Sequence, residues 1–122
     1  MPIDHVTVKV KDLSRAKAFY VQALAPLGYA ITMEWQNFIG FGVGGKADFW
    51  VAQYAETAPP AHVAFVAGGV KMVDAFHRAG VAAGGTDNGP PGKREHYHPG
   101  FYGAFVHDPE GNNIEAVIHN FK

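Results

Sequence analysis

The most constraining feature of this sequence is an internal repeat with an offset of 57 residues. Each half begins with a short strand-like segment that carries a histidine near its start, and an aromatic pair follows fourteen residues later. The matching residues are His5 with His62, Phe19 with Phe76, and Tyr20 with His77. Two copies are too few for a solenoid, which needs three or more stacked units. The repeat therefore predicts a single domain over 1–122, built from two similar modules at approximately 1–57 and 58–122.

Hydrophobic periodicity predicts the same order of elements in both modules. The first strand alternates, with Val6 and Val8 on the face opposite His5, and Asp12 is a suitable N-cap for the helix that follows. We expect that helix to stop near Pro26 and Gly28, and a second helix to run from Gly69 to about Gly80. The other predicted strands are 29–35, 37–43, 48–53, 62–67, 101–107 and 113–118.

Two segments between the predicted strands of the second module read as turns or loops. Residues 84–93 contain four glycines and two prolines, so we expect a loop there. Asp108-Pro109-Glu110-Gly111 has proline and glycine in the positions that a tight turn favours, and we expect Asp108 to cap it.

Composition excludes several classes of protein. Ten basic and eleven acidic residues give a net charge of -1, which argues against a nucleic-acid partner. The chain has no cysteine, so a disulfide scaffold, a thiolate zinc site and a cysteine nucleophile are excluded. No apolar run is long enough for a membrane span, and the polar start does not read as a secretory signal. We therefore expect a cytoplasmic protein without a membrane partner.

Seven histidines in a chain without cysteine point to nitrogen and oxygen ligands for any metal. His5, His62 and Glu115 each lie on the strand face opposite the apolar residues that pack against the helices. If the modules pack about a pseudo-twofold axis, the two histidines approach each other and Glu115 completes a facial 2-His-1-carboxylate set with open positions. The alternative is that each histidine is a surface or hydrogen-bonded residue.

Three stretches of the sequence resemble the vicinal oxygen chelate superfamily, which includes glyoxalase I, extradiol dioxygenases, and fosfomycin- and bleomycin-resistance proteins. They are 3–8 leading into 18–20, 62–65, and 102–117 with its DPEGNNIE core. The resemblance implies an α+β fold of two βαβββ modules forming an eight-stranded, U-shaped mixed sheet around a metal. It also implies that His5, His62 and Glu115 are the metal ligands and that the protein is a homodimer, in some relatives with a shared site.

One position departs from the glyoxalase I pattern. That enzyme typically carries a fourth ligand, a glutamate that moves a proton between adjacent carbons. Matching Asn113-Ile114-Glu115 to Asp48-Phe49-Trp50 puts Trp50 at that position, so we do not expect glutathione-dependent glyoxalase I activity.

Several further residues are candidates for the substrate site. Tyr102 belongs to the resembling motif and is the candidate catalytic acid or hydrogen-bond donor; the alternative is a core aromatic that anchors the hairpin. Lys93 and Arg94 are candidates to attract an anionic substrate, and His96 and Trp50 to line the site. The alternative for the basic pair is a solvated surface, and for His96 a solvated loop.

These observations lead to one principal functional expectation and one alternative. We expect a glyoxalase-like enzyme of lyase, isomerase or dioxygenase type, in which one divalent ion (zinc, nickel, manganese or iron) binds vicinal oxygens of a small substrate and stabilises an oxyanion. The alternative is a metal-free protein of bleomycin-resistance type that sequesters a drug or metabolite. Converging ligands favour the enzyme, because a sequestering protein has no need of them.

Overall fold

The computed structural model describes residues 3–122, and within them the order strand, helix, three strands occurs twice. The strands are β1 (Val6–Val10), β2 (Ala30–Glu34), β3 (Phe38–Val43), β4 (Lys46–Gln53), β5 (His62–Val66), β6 (Thr86–Lys93), β7 (Tyr102–His107) and β8 (Asn113–Ile118). The helices are α1 (Leu13–Leu24), which continues into a 3-10 turn at Ala25–Leu27, and α2 (Val70–Ala82). Over this described stretch, neither α-helix is both long and apolar enough to cross a membrane.

The eight strands form two four-stranded sheets with the same internal order, β1-β4-β3-β2 and β5-β8-β7-β6. In each sheet the first and last strands of the module are parallel neighbours, and the other pairs are antiparallel. The registers are equivalent too: Thr7 lies opposite Trp50, and Ala64, which follows Thr7 by the repeat offset, lies opposite Glu115. The α+β class and the two βαβββ modules are thus confirmed.

Helix α1 begins and ends where its sequence directs. The side chain of Asp12 accepts a hydrogen bond from the backbone N–H of Arg15 at 3.0 Å, which caps the first turn. At the other end Pro26 enters a 3-10 turn, and Gly28 takes a left-handed conformation with φ of 88° that closes it. The buried face of α1 consists of Leu13, Ala16, Phe19, Tyr20, Ala23 and Leu24.

One hydrophobic core joins the two modules. It includes Phe19 and Tyr20 of α1, Phe49 of β4, Phe76 of α2 and Ile114 of β8, all nearly or fully buried. In β4, Phe49 and Val51 face this core, so Trp50 between them lies on the opposite face of its sheet. The same alternation in β8 puts Glu115 opposite Ile114 and Ala116. Trp50 and Glu115 thus both lie on sheet faces that point away from the helices.

The glycine- and proline-rich segment is a strand, which corrects the expected loop over residues 84–93. Residues Thr86–Lys93 form β6 and pair antiparallel with β7. The ladder shifts register on both sides of Gly89, and Pro90 and Pro91 lie within the second shift. This is possible because β6 is the last strand of its sheet, where one side has no strand partner and a missing N–H is tolerated.

The turn at Asp108 ties the second module to the first. Its Oδ1 accepts backbone N–H bonds from Glu110 and Asn112, both at 2.9 Å, as expected for a capped turn. Its Oδ2 accepts the phenol O–H of Tyr20 on α1 at 2.6 Å. The Glu110 carboxylate accepts the backbone N–H groups of Lys11 and Asp12, both at 2.7 Å. The DPEGNN segment therefore forms a joint between the modules.

Candidate metal centre and cavity

His62 and Glu115 form a pair on the second sheet. They lie on the neighbouring parallel strands β5 and β8, with side chains on the same face, and Nε2 of His62 is 2.8 Å from Oε1 of Glu115. Glu115 is only 6% exposed, in a strand whose other central residues are apolar. Burying a carboxylate is costly unless a polar partner or a cation compensates it. His62 is the partner that the structure provides for Glu115.

Aromatic and guanidinium groups surround the His62–Glu115 pair. Phe105 lies directly opposite Glu115 in the β7–β8 register, and its ring centre is 6.2 Å from that of His62. The guanidinium of Arg94 lies 5.0 Å above the same phenyl ring. Phe105, Phe101 and Val117 form a small buried cluster on this face, separate from the main core. Glu115 therefore lies next to apolar side chains on this face of the sheet.

His5 is held by a carboxylate beside it. Its Nδ1 is 2.7 Å from Oδ1 of Asp4, and Nζ of Lys46 is 3.1 Å from the other oxygen of that carboxylate. The hydrogen bond from His5, followed by that from Lys46, holds the pKa of Asp4 below its ordinary value. When Nδ1–H donates to Asp4, Nε2 is the ring nitrogen that is free of a proton and can bind a metal.

His5 also lines a cavity of about 560 Å³ on the first sheet. Side chains from three strands and the adjoining turns contribute to its wall, among them Thr7, Phe38, Trp50, Gln53 and Tyr54. The volume is in the range of small-molecule sites. The predicted lining residue Trp50 is therefore part of a cavity wall.

The three predicted metal ligands do not meet within one chain. Across residues 3–122, no group of three or more histidine and acidic side chains is close enough to hold one ion. His62 and Glu115 are together, whereas His5 lies on the other sheet and pairs with Asp4. Side chains of both histidines are about half exposed, at 52% for His5 and 55% for His62. The predicted approach of His5 to His62 is therefore not present within a single chain.

Trp50 occupies the position equivalent to Glu115. The β1–β4 and β5–β8 ladders have the same register, with Thr7 opposite Trp50 and Ala64 opposite Glu115. The first module thus has an indole where the second has a carboxylate. This geometry matches the sequence alignment that put Trp50 at the place of the glyoxalase I glutamate.

Tyr102 does not line the cavity, which corrects the expectation that it belongs to the substrate site. It lies opposite Ile118 in the β7–β8 register, on the face that carries Ala104 and Ala116. Its hydroxyl donates to Oδ1 of Asp74 on α2 at 2.7 Å. Burial and this carboxylate raise the pKa of Tyr102 to about 12. Tyr102 therefore ties β7 to α2.

The other predicted substrate residues have different surroundings. Arg94 donates to the carbonyl oxygens of Gly92 and Gly103, at 3.0 and 2.6 Å, and to that of Pro90 at 2.7 Å, so most of its donors already have partners. Lys93 is exposed and 3.9 Å from a Glu95 oxygen. His96 is exposed in the turn after β6, with its ring centre 4.4 Å from that of Tyr97. Only Arg94 is near the His62–Glu115 pair.

Sequence reasoning missed two residues that shape the site. Asp4, which orients His5, is its immediate neighbour in the chain, so a carboxylate next to a predicted ligand was an available signal. Phe105 shares the strand parity of the site but lies between apolar residues on both sides, so alternation gave no signal for it.

Comparison with known proteins agrees with this architecture. The family model described as the Glyoxalase/Bleomycin resistance protein/Dioxygenase superfamily matches residues 2–116. A solved glyoxalase/bleomycin resistance protein from Albidiferax ferrireducens T118 is 32% identical, with a TM-score of 0.79 and an alignment covering 94% of this chain and 96% of that one.

Two further solved structures are similar in fold at lower identity. A glyoxalase-related enzyme from Fulvimarina pelagi is 21% identical, with a TM-score of 0.73 and coverage of 96% of this chain and 87% of that one. A lactoylglutathione lyase from Agrobacterium tumefaciens is 19% identical, with a TM-score of 0.67 and coverage of 95% and 92%. No curated protein matches the sequence. On the evidence of the family match over nearly its whole length, the chain belongs to the glyoxalase/bleomycin resistance protein/dioxygenase superfamily.

Proposed function

We propose that this protein is a glyoxalase-like, metal-dependent enzyme that binds a small substrate through vicinal oxygens at a divalent ion held by His5, His62 and Glu115. The observation that carries the proposal is the buried Glu115 carboxylate, 2.8 Å from Nε2 of His62. Ligand bonds of about 2.0–2.2 Å at roughly a right angle would separate two donor atoms by about 3 Å. The pair therefore fits two ligands of one ion.

The third ligand comes from a second copy of the chain in this proposal. His5 does not join His62 and Glu115 within one chain, yet both histidines are exposed. In a twofold dimer, the first sheet of one copy faces the second sheet of the other, and the same contact occurs twice. Each dimer then has two sites, each with His5 from one copy and the His62–Glu115 pair from the other.

The chain's own residues position the reactants. A bound divalent ion supplies Lewis acidity toward substrate oxygens. Asp4 fixes the ring of His5, and Phe105 with its buried neighbours places apolar side chains next to Glu115. Trp50 occupies the position of the glyoxalase I glutamate on the first sheet. The proposal therefore includes no proton transfer by a glutamate at that position.

Metal content tests the ligands. Purified protein equilibrated with zinc, nickel, manganese or iron(II) and then dialysed should retain about one ion per chain by elemental analysis. His62→Ala and Glu115→Gln should each lose it, whereas the control His77→Ala should not, because His77 pairs with Asp87 elsewhere. Wild-type protein that retains none of the four metals would overturn the proposal.

Mixing two inactive variants tests the shared site. His5→Ala and His62→Ala should each fail to bind metal, but after subunit exchange half of the dimers are mixed, and one of the two sites in each mixed dimer is intact. About one quarter of all sites should then hold metal. If the two single variants are metal-free and the exchanged mixture gains none, the ligands do not come from two copies.

A second candidate function is metal-free sequestration of a small molecule, as in proteins of bleomycin-resistance type. The observation that favours it is the cavity itself, which has Phe38 and Trp50 in its wall. The absence of metal from wild-type protein, together with tight binding of a small molecule, would favour this function over the enzyme.

A further inference from the structure

We infer that the cavity of the first module selects an uncharged, planar aromatic substrate, which stacks on Trp50. This inference rests on the proposed function in that the cavity ligand is taken to be the substrate whose oxygens reach the ion. The argument has three parts: the aromatic floor of the cavity, the charge of its wall, and the divergence of the two modules.

The floor of the cavity is aromatic although it lies outside the core. Phe41 and Phe49 face the helices and are 1% exposed, whereas Phe38 and Trp50 lie on the other face and are half-buried. The ring centres of Phe38 and Trp50 are 5.6 Å apart, and the ring of Trp35 stacks on that of Phe38 with the centres 6.3 Å apart. The described helices pack on the other face of this sheet, so these rings are available to a flat ligand.

The indole of Trp50 packs against Gly40 of the neighbouring strand. Gly40 lies directly opposite Trp50 in the β3–β4 register. A Cβ atom built on Gly40 would come within 2.7 Å of the six-membered ring of the indole. The ring therefore lies close to the backbone at the glycine, where a side chain would displace it, and the half-buried indole keeps exposed surface for contact.

The wall of this cavity is polar but carries no formal charge from acidic, lysine or arginine side chains among residues 3–122. Its polar groups are those of His5, Thr7, Asn37, Gln53 and Tyr54. Lys9 lies outside this wall, with Nζ 5.1 Å from the centre of the Tyr54 ring. Asp4 is already paired with Lys46 and His5.

Apart from a bound ion, this cavity offers no acidic, lysine or arginine side chain to offset the hydration that a ligand with several ionised groups would lose. The side-chain carbonyl of Gln53 accepts the N–H of Leu13 at 3.3 Å, which leaves its amide N–H groups as donors. Hydroxyl or carbonyl oxygens on an aromatic ring suit such a wall. A glutathione conjugate, with two carboxylates and an ammonium group, does not.

The two modules have diverged at equivalent positions. In the second module Phe105 lies opposite Glu115, so a phenyl ring lies beside the proposed metal ligand. In the first module Gly40 lies opposite Trp50, so a glycine opens space and an indole fills part of it. The second sheet thus carries two of the proposed ligands, whereas the first carries His5 beside a surface for a ring.

Calorimetric titration of the protein, stripped of metal by a chelator, with matched probes tests the inference. The probes are 2-naphthol, which is uncharged at neutral pH, 2-naphthoate, which has the same rings and a carboxylate, and S-methylglutathione, which has no aromatic ring. We expect 2-naphthol to bind at least about tenfold more tightly than either of the others. Equal or tighter binding of 2-naphthoate or S-methylglutathione would overturn the inference.

Variants of the floor distinguish stacking from general apolar contact. Trp50→Phe keeps an aromatic face and should bind 2-naphthol within about threefold of wild type, whereas Trp50→Leu should lose about tenfold. Gly40→Ala displaces the indole and should weaken binding by a similar factor without removing any ring. Tyr97→Ala, an exposed aromatic on the second module, is the control and should change nothing. Equal affinity of the Leu and Phe variants would overturn the stacking argument.

Metal content and the effect of Trp50→Leu on 2-naphthol binding, measured together, separate this inference from the proposed function. If wild-type protein holds no metal but 2-naphthol still depends on Trp50, the metal proposal fails and the aromatic cavity stands. If metal binds as proposed but Trp50→Leu binds 2-naphthol like wild type, the aromatic inference fails alone. Both proposals together predict that Glu115→Gln loses metal but keeps the dependence of 2-naphthol affinity on Trp50.

Discussion

The substitution Tyr20→Phe tests whether the joint between the modules stabilises the fold. It removes one oxygen atom from a fully buried side chain and leaves the ring in contact with its aromatic neighbours Phe19, Phe41 and Phe49. No ring-sized cavity forms, so the main loss is the 2.6 Å hydrogen bond to Asp108. A hydrogen bond to a charged group contributes about 1.5–3 kcal/mol.

The expected loss of unfolding free energy lies within this range and not above it, because Asp108 keeps other hydrogen-bond partners in the variant. Its carboxylate still accepts from the backbone N–H groups of Glu110 and Asn112 and from the side-chain amide of Asn112. We therefore expect the free energy of unfolding to fall by about 2 kcal/mol. For a chain of this size that corresponds to a drop of about 8 °C in Tm.

Chemical and thermal denaturation of wild type and variant measure this loss, with Tyr102→Phe as the matched control. That substitution deletes the same atom from a tyrosine that also donates to a carboxylate, but at a part-buried position. Its cost should stay below about 1 kcal/mol, because water replaces the lost partner. Equal losses in the two variants, or a loss below about 0.5 kcal/mol for Tyr20→Phe, would refute the reasoning, because buried charge-assisted bonds are the stronger class.

Three further results are expected. Burial, followed by the charge of Asp108, raises the pKa of Tyr20 well above its usual value. Above about pH 10 the unfolded chain therefore loses a proton that the folded chain keeps, so the free energy of unfolding falls as the pH rises. Denaturation measured as a function of pH should show a shallower fall for Tyr20→Phe. Gly100→Ala should lower Tm more than Gly111→Ala: both glycines have φ of 92°, but only the Cβ at position 100 would meet a backbone oxygen, that of His119, at 2.5 Å. Turnover of the methylglyoxal–glutathione hemithioacetal, followed by ultraviolet absorbance, should be negligible because Trp50 replaces the glutamate base, and robust turnover would contradict that alignment.

The sequence predicted the fold closely because strand periodicity and the repeat describe local geometry. Matching Asn113-Ile114-Glu115 to Asp48-Phe49-Trp50 predicted that Trp50 and Glu115 are equivalent, and the β1–β4 and β5–β8 registers agree with it. The segment 84–93 was predicted wrongly, since glycine and proline usually end strands and only its position at the sheet edge permits pairing.

The candidate site was less predictable for two physical reasons. In β7 both faces are apolar, with Ala104 and Val106 toward α2 and Phe105 away from it, so alternation did not reveal that Tyr102 faces the helix. The second reason is that the relative placement of two modules depends on packing between helices and turns, such as the bond from Tyr20 to Asp108. A pattern within each strand does not contain that information.

The joint between the modules and the proposed division of the metal ligands are connected. Glu110 binds the backbone at the start of α1 and Asp108 binds Tyr20, so the second module is fixed against the helix side of the first. In that arrangement His5 and Glu115 lie on different sheets, and within residues 3–122 they do not join His62 in a group that could hold one ion. The features that stabilise the single chain thus leave the histidine of each proposed half-site exposed on its own sheet. If a second copy supplies the missing half, metal binding and dimer formation stabilise each other, because each favours the state that the other requires.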